Sequence, residues 1–248
     1  MRKSRVVLVS MALVLMLALV ITLVGCGGGG TSPTATPTGT STGPTTTATK
    51  TPAATQAPTS TSTSGDTLAD IFGGGKNLGD VQFDMVMSSP QLPQAQTSTV
   101  YYKSFGSTTG FKSRTETTQG GVTQITLVDY SAQTAYFWTE GQNIAYKMDF
   151  SQVASGNPTE NGDQIHPTHV GTATVDGHPC DIWQWTYQGT SEKMWIWTAK
   201  SFPVKMEATI SGVTTTIEYQ NIVFGTLSDS LFQLPPGVTV TTFPSYQP

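Results

Sequence analysis

Three histidines and a cysteine lie within one short stretch and could support metal or thiol chemistry. His166 and His169 have the H-x-x-H spacing, and His178 stands two residues before Cys180. An H-x-x-H pair binds a metal when a helix places both rings on one face. Pro167 and the strand pattern that follows disfavour a helix here. We expect solvated loop histidines, with a metal site as the alternative, and we predict no metal and no cofactor.

The thiol of Cys180 is the second chemical candidate. On a strand, His178 would share a face with it and could activate a thiol nucleophile. Pro179 and the apolar pattern of the strand instead predict a buried structural thiol. The sequence also has no G-x-S-x-G, P-loop or dinucleotide-binding motif. We therefore predict that the protein is not an enzyme and has no catalytic residues.

A second cysteine, Cys26, ends the sequence Leu23-Val24-Gly25-Cys26, which resembles a bacterial lipobox. Arg2, Lys3 and Arg5 form a basic start, and an apolar run occupies residues 6–24. The pattern predicts a lipoprotein signal peptide over residues 1–25 and lipidation, including palmitate, of Cys26. Since stable anchoring takes about two chains or signals, a doubly acylated Cys26 would tether the protein to the membrane.

An uncleaved transmembrane helix is the alternative for residues 6–24, because roughly 20 apolar residues span a bilayer. Both alternatives place the downstream chain outside the cytoplasm, since the basic residues stay inside. Cleavage would remove three of the 12 basic residues and leave 9 against 16 acidic residues, a net charge of −7. This negative charge disfavours binding to nucleic acid.

Residues 27–65 form a polar, low-complexity segment. They comprise 15 Thr, 7 Gly, 5 Pro, 5 Ser and 5 Ala among 39 positions, with no large apolar side chain. Such a segment has nothing to offset the entropy of ordering its backbone, so we predict a disordered linker over residues 26–65. The remaining 183 residues, 66–248, are long enough to bury one core without cross-links.

Strand patterns dominate the domain after a short predicted helix at residues 66–72. Alternation and short turns predict strands near residues 81–88, 98–105, 111–117, 122–129, 134–138, 143–150, 170–175, 180–187, 193–198, 204–210 and 213–224. Their regular spacing favours an antiparallel meander. The polar stretch at residues 151–164 breaks the rhythm and is either a surface loop or a mobile lid.

Two hairpins can be assigned a register from their turns. Ser211-Gly212 suits a type I′ turn that pairs Ile210 with Val213, which places Val204, Met206, Ala208, Ile217 and Tyr219 on one face. A turn at Gly189-Thr190 would pair Gln188 with Ser191. Trp183, Trp185 and Tyr187 would then share a face with Met194 and Ile196, and Cys180, Ile182, Trp195 and Trp197 the opposite face. Both faces are therefore apolar, and each should be covered by something.

Residues 170–240 resemble the C-terminal half of the LolA/LolB-like lipoprotein-sorting proteins. The resemblance rests on Gly171, Val175-Asp176-Gly177, Cys180, Trp195-Ile196-Trp197, Pro203-Val204-Lys205, Tyr219-Gln220-Asn221-Ile222-Val223-Phe224-Gly225 and Asp229-Ser230-Leu231-Phe232-Gln233-Leu234-Pro235-Pro236-Gly237-Val238. These positions are turn and core residues, so they support a fold more than an activity. The family implies a mainly β fold: a curved antiparallel sheet that forms an incomplete β-barrel with a short helical plug and an apolar cavity.

The resemblance also implies a function. Relatives use the cavity for acyl chains, so we expect a membrane-anchored extracytoplasmic lipoprotein that carries lipids or lipoproteins. The alternative is an envelope sensor that uses the same fold to contact another envelope protein. Five methionines, Met148 among them, offer side chains that repack around varied chains. The cavity residues that we predict are Met85, Met87, Trp183, Trp185, Met194, Ile196 and Met206.

Overall fold

The computed structural model describes Ile71 and residues 77–107, 109–150, 165–187 and 189–242. Within these ranges, twelve strands and one 3-10 helix form the fold. The strands are β1 (Gly79–Ser88), β2 (Gln96–Phe105), β3 (Lys112–Gln119), β4 (Val122–Asp129), β5 (Thr134–Thr139), β6 (Ile144–Asp149), β7 (Thr168–Val175), β8 (His178–Tyr187), β9 (Thr190–Trp197), β10 (Phe202–Ile210), β11 (Val213–Phe224) and β12 (Thr239–Thr242), and the 3-10 helix is Asp229–Phe232.

All twelve strands belong to one sheet, in the order β12-β6-β5-β4-β3-β2-β1-β11-β10-β9-β8-β7. Two antiparallel meanders, β1 to β6 and β7 to β11, join where β1 pairs with β11. The predicted antiparallel sheet is confirmed for these eleven strands. The parallel pairing of β12 with β6 and the 3-10 helix were not predicted.

The sheet is strongly curved. The rings of Phe105 on β2 and Phe202 on β10 lie 5.5 Å apart between centroids, although β1 and β11 separate their strands. Three strand spacings of about 4.8 Å would hold them roughly 14 Å apart in a flat sheet. The face that carries these rings is therefore concave, and we call it the inner face. Because β12 and β7 do not pair, the curved sheet stays open, as expected for an incomplete barrel.

Bulges beside β1 contribute to this curvature. The registers of β1 with β2 and of β1 with β11 each shift once, and Ser104 and Asn221 have positive φ values of 54° and 53° near those shifts. The Asp80 carboxylate accepts hydrogen bonds from the backbone N–H groups of Ser104 and Leu227, both at 2.9 Å. Bulges increase local strand twist, so these contacts hold the sheet in its bent form.

The chain after β11 covers part of the outer face. Ser228 caps the 3-10 helix by accepting a bond from the Ser230 N–H. The helix buries Phe232 against Ile125, Leu127 and Trp138, whose side chains point away from the inner face. This segment supplies the apolar cover that an open sheet needs on its second side.

The predicted β10–β11 hairpin is confirmed. Ile210 pairs with Val213, and Ser211 and Gly212 have φ values of 51° and 80°, as a type I′ turn requires. The predicted face of Val204 is wrong. A bulge between Pro203 and Lys205 directs the Val204 side chain to the outer face, where it packs with Cys180 and Trp195. Proline cannot donate to the ladder, which favours a bulge at this point.

The predicted register of the β8–β9 hairpin is wrong by two residues. Tyr187 pairs with Thr190 and Thr186 with Ser191, so Gly189 lies in the connection between the two strands. Gly189, with φ of 80°, takes the second central position of the turn, as Gly212 does in the other hairpin. Side chains alternate with a period of two, so a two-residue shift leaves the predicted faces unchanged.

Several predicted features lie outside the described residues: the signal peptide and Cys26, the linker, the loop at residues 151–164, and the helix at residues 66–72 apart from Ile71. Ile71 is helical and packs against the inner core. In the described part of the chain, no helix combines the length and apolar character needed to cross a membrane.

Candidate ligand-binding face

The inner face has an aromatic end. Phe83 contacts Tyr102, Phe202 and Tyr219 with ring centroids 4.7 to 5.6 Å apart, and Phe105 stacks on Tyr102 at 5.0 Å. Burial raises the pKa of Tyr219 to about 12 and also raises the pKa of Tyr102, so both hydroxyls stay neutral. Rings from strands that are not neighbours fill this end, which therefore acts as the structural core.

The opposite end of the inner face is lined by methionine and tryptophan. Strand pairing sets Met87, Ile217, Met206, Met194 and Trp183 side by side in one row across β1, β11, β10, β9 and β8. Side chains along a strand point alternately to the two faces of the sheet, and each of these residues is at a position that points to the inner face. We call this part of the inner face the methionine end.

The structure brings all seven predicted cavity residues together in the inner cluster. Six are buried, and Trp183 is partly buried against them. The sequence could not say whether this face is concave, and the curvature shows that it is. The seven are Met85, Met87, Trp183, Trp185, Met194, Ile196 and Met206. Met148 does not join them, because it packs with Val128, Ala135 and Phe150 in a separate cluster.

Apolar side chains from outside the strands cover the inner cluster. Ile71, Leu92 and Ile165 are partly buried and pack against it. Leu92 lies between β1 and β2, and Ile165 precedes β7. These side chains therefore shield part of the inner cluster from solvent.

Glu192 brings a carboxyl group to the methionine end. It pairs with Trp185 on β8 and with Ala208 on β10, and it shares the inward phase of β9 with Met194. Burial raises the pKa of the Glu192 carboxyl above its usual value. Glu192 is not among the cavity residues predicted from the sequence. Its alternation with Met194 and Ile196 was the signal that could have found it.

A surface cleft of about 650 Å³ adjoins this end of the sheet. Trp185 and Tyr187 of β8 line it on one side, and Ile165, His166 and Thr168 line it before and at the start of β7. Trp185 thus contributes both to the cleft and to the inner cluster.

The predicted solvated loop histidines are wrong for two of the three residues. His169 lies on β7 with its side chain 10% exposed, and its Nε2 lies 3.1 Å from the Asp181 carboxylate. His178 lies on β8 and stacks on Trp197, with ring centroids 3.9 Å apart. Within the described ranges, no three His, Cys, Asp or Glu residues cluster as metal ligands.

Cys180 is buried, at 2% exposure, in the outer cluster with Trp195 and Val204. Burial raises the pKa of its thiol, so the reactive thiolate is disfavoured, which agrees with the predicted structural thiol. The apolar outer face is covered locally. The Nζ atoms of Lys193 and Lys205 lie 4.8 and 5.0 Å from the centroid of the Trp195 ring.

No protein-family model matches the chain, and no curated protein sequence matches it significantly. Similar solved structures include an uncharacterized conserved protein from Thermus thermophilus, with 12% identity over 70% of this chain and 96% of that chain and a TM-score of 0.52. At this identity, the likeness shows the fold alone.

Two further structures are similar at lower scores. MucB in complex with MucA(peri) gives 14% identity, 70% coverage of this chain and a TM-score of 0.48; the alignment spans 61% of the MucB chain. A putative outer membrane lipoprotein-sorting protein domain from Vibrio parahaemolyticus gives 12% identity over 66% of this chain and 94% of that chain, with a TM-score of 0.36.

Proposed function

We propose that this protein is an extracytoplasmic binding protein that holds the acyl chain of a lipid or lipoprotein at the methionine end of its inner face. The supporting observation is the row of Met87, Ile217, Met206, Met194 and Trp183 across five strands of a concave, open sheet. The resemblance to the LolA/LolB-like proteins supports the same role. Lipidation at Cys26 would hold the protein at the membrane that supplies the ligand.

The chemistry of the methionine end suits an acyl chain. Each methylene that leaves water gains roughly 0.8 kcal/mol, so a chain of ten or more carbons can offset the loss of a few side-chain contacts. Those contacts are the ones that Ile71, Leu92 and Ile165 make with the inner cluster. Thioether side chains are unbranched and adaptable, so they can repack around chains of different shape.

The five tryptophans allow a direct test, because they divide between the two faces. Trp183 and Trp185 belong to the inner cluster, whereas Trp138, Trp195 and Trp197 belong to outer clusters. We would titrate residues 26–248, expressed without the signal peptide and carrying Cys26→Ala, with a long-chain fatty acid that is brominated along its chain and quenches nearby indoles. Saturable quenching is expected in this protein and in a further Trp195→Phe variant.

The double variant Trp183→Phe/Trp185→Phe should lose most of that quenching while the acid still binds. Circular dichroism melts would confirm that each variant is folded. Equal quenching in all variants would place the ligand elsewhere, and the absence of saturable quenching would reject acyl-chain binding.

A protein-binding role in envelope sensing is the second candidate. It is favoured by apolar side chains near the open β12 edge of the sheet, where Ile144 and Tyr146 on β6 are 46% and 44% exposed and share one strand phase. In that case a stoichiometric protein partner, and no lipid, should co-purify with the chain from membranes.

A further inference from the structure

Glu192 occupies an unusual position for a carboxylate. Glu192 lies on β9, where it pairs with Trp185 on β8 and with Ala208 on β10. The next residue of β9 on the inner face is Met194. Burial is the cause that raises the pKa of its carboxyl, and no hydrogen bond or charge from a described residue lowers it again. Glu192 is half-buried, and its carboxyl oxygens keep some contact with solvent, since no buried polar side-chain atom in the described part of the chain lacks a partner. No donor or cation among the described residues is bonded to this carboxyl.

The two glutamates on adjoining strands show the contrast. Glu207 on β10 and Glu218 on β11 face outwards, and Lys205 Nζ lies 3.2 and 3.4 Å from their carboxylates. Taking a carboxylate out of water costs free energy unless a donor or a cation compensates for it. The sheet supplies that compensation to the outward glutamates, whereas the described residues around Glu192 supply none.

We propose that Glu192 binds the ammonium head group of an amphiphile whose hydrocarbon chain lies along the methionine end. This inference rests on the acyl-chain function proposed above and adds a head-group class to it. Successive inward positions on a strand are roughly 7 Å apart. A head group on the Glu192 carboxyl would therefore bring the first methylenes of the chain over Met194 and Trp185. An ammonium group donates charged hydrogen bonds, which are stronger than neutral ones.

Three probes of equal chain length separate the head group from the chain: tetradecylamine, tetradecanol and tetradecanoic acid, each below its aggregation concentration. Binding would be followed by tryptophan fluorescence at pH 7 in residues 26–248 expressed without the signal peptide and carrying Cys26→Ala. We expect that protein to bind the amine at least tenfold more tightly than the alcohol or the acid. A further Glu192→Gln change should reduce this preference to within about threefold.

Glu207→Gln is the matched control, because it removes the same charge from the outer face of the neighbouring strand and should leave the preference unchanged. Glu192→Asp keeps the charge and should keep part of the preference. Equal affinity for all three probes, or an amine preference that survives Glu192→Gln, would overturn the head-group assignment while leaving acyl-chain binding intact. Failure of all three probes to bind would reject both proposals.

Discussion

Arg114 on β3 donates a hydrogen bond from Nη1 to the carbonyl oxygen of Leu231, at 3.1 Å, and so fixes the 3-10 helix to the outer face of the sheet. The guanidinium also bonds to Glu116 at 2.6 Å and lies 5.4 Å from the Trp138 ring. The curved sheet leaves its convex side to be covered by the C-terminal segment. Arg114 is one charged contact that holds this cover, and the ion pair of Lys103 with Asp229 is another.

Arg114→Met should lower the free energy of unfolding by about 2 kcal/mol, because it removes charged hydrogen bonds at a side chain that is only 13% exposed. Urea denaturation would measure the change. Arg114→Lys keeps the charge but loses the fork geometry of the guanidinium, so its free energy of unfolding should lie between those of the wild type and Arg114→Met. Equal stability of all three proteins would show that the outer cover does not depend on this contact.

Substitution of Asn221 should lower the stability of the protein, because this residue has an unusual backbone conformation. Its φ of 53° lies in the left-handed region, and its Nδ2 donates to Asp84 at 2.8 Å beside the β1–β11 bulge. Asn221→Ala should cost about 1–2 kcal/mol, from backbone strain and the lost hydrogen bond together. Asn221→Gly loses only the hydrogen bond and should cost less. If thermal melts show the glycine variant to be the less stable one, the strain argument is wrong.

Glu192→Gln should change how stability depends on pH. Burial raises the folded-state pKa of Glu192, so the folded protein binds more protons than the unfolded one between the unfolded and folded pKa values. The free energy of unfolding contributed by this group therefore falls as pH rises through that window. Glu192→Gln should remove this slope and stabilise the protein at neutral pH.

Melts from pH 4 to pH 8 would check the Glu192 prediction, with the outward-facing Glu207→Gln as the control. Across the sheet, Glu192 faces Trp185 on β8 and Ala208 on β10, neither of which titrates. The cleft beside Trp185 is also lined by Tyr187 and His166. An unchanged pH profile in Glu192→Gln would contradict the burial of this carboxyl.

Cys26→Ala should abolish acylation of the chain and block signal cleavage at that site. The reason is chemical, since the alanine has no thiol to receive the lipid. Metabolic labelling with a fatty-acid probe is the measurement, and Cys180→Ala, which changes only the buried thiol, is the matched control. Equal labelling of the wild type and Cys26→Ala would show that the membrane is reached in another way.

Local patterns predicted most of the sheet. The alternation of Val81, Phe83, Met85 and Met87 predicted a one-sided strand, and β1 buries these side chains on the inner face. Val122–Asp129 and Val213–Phe224 were predicted with the bounds that β4 and β11 have. These elements could be predicted because the alternation of a strand and the residues of a two-residue turn are both local features of the sequence.

Long-range features could not be predicted in this way. β12 is only four residues long, and it pairs in parallel with β6, which is far away in the sequence. Neither a turn nor a long alternating pattern therefore predicts this strand. Bulges at Ser104 and Asn221 accompany the inward curvature of the sheet, and no local pattern revealed them. Glu192 is an intermediate case. Its alternation with Met194 and Ile196 indicates its face locally, but its partners Trp185 and Ala208 come from two other strands.

Native mass spectrometry of the full-length chain, purified from its own membranes, tests acyl-chain binding most directly. We predict one non-covalent lipid per chain, which gentle collisional activation releases and which is still present in Cys26→Ala, so that it is distinct from the covalent anchor. A chain that carries no lipid in either form, with a stoichiometric protein partner in its place, would contradict acyl-chain binding and support the partner-binding function.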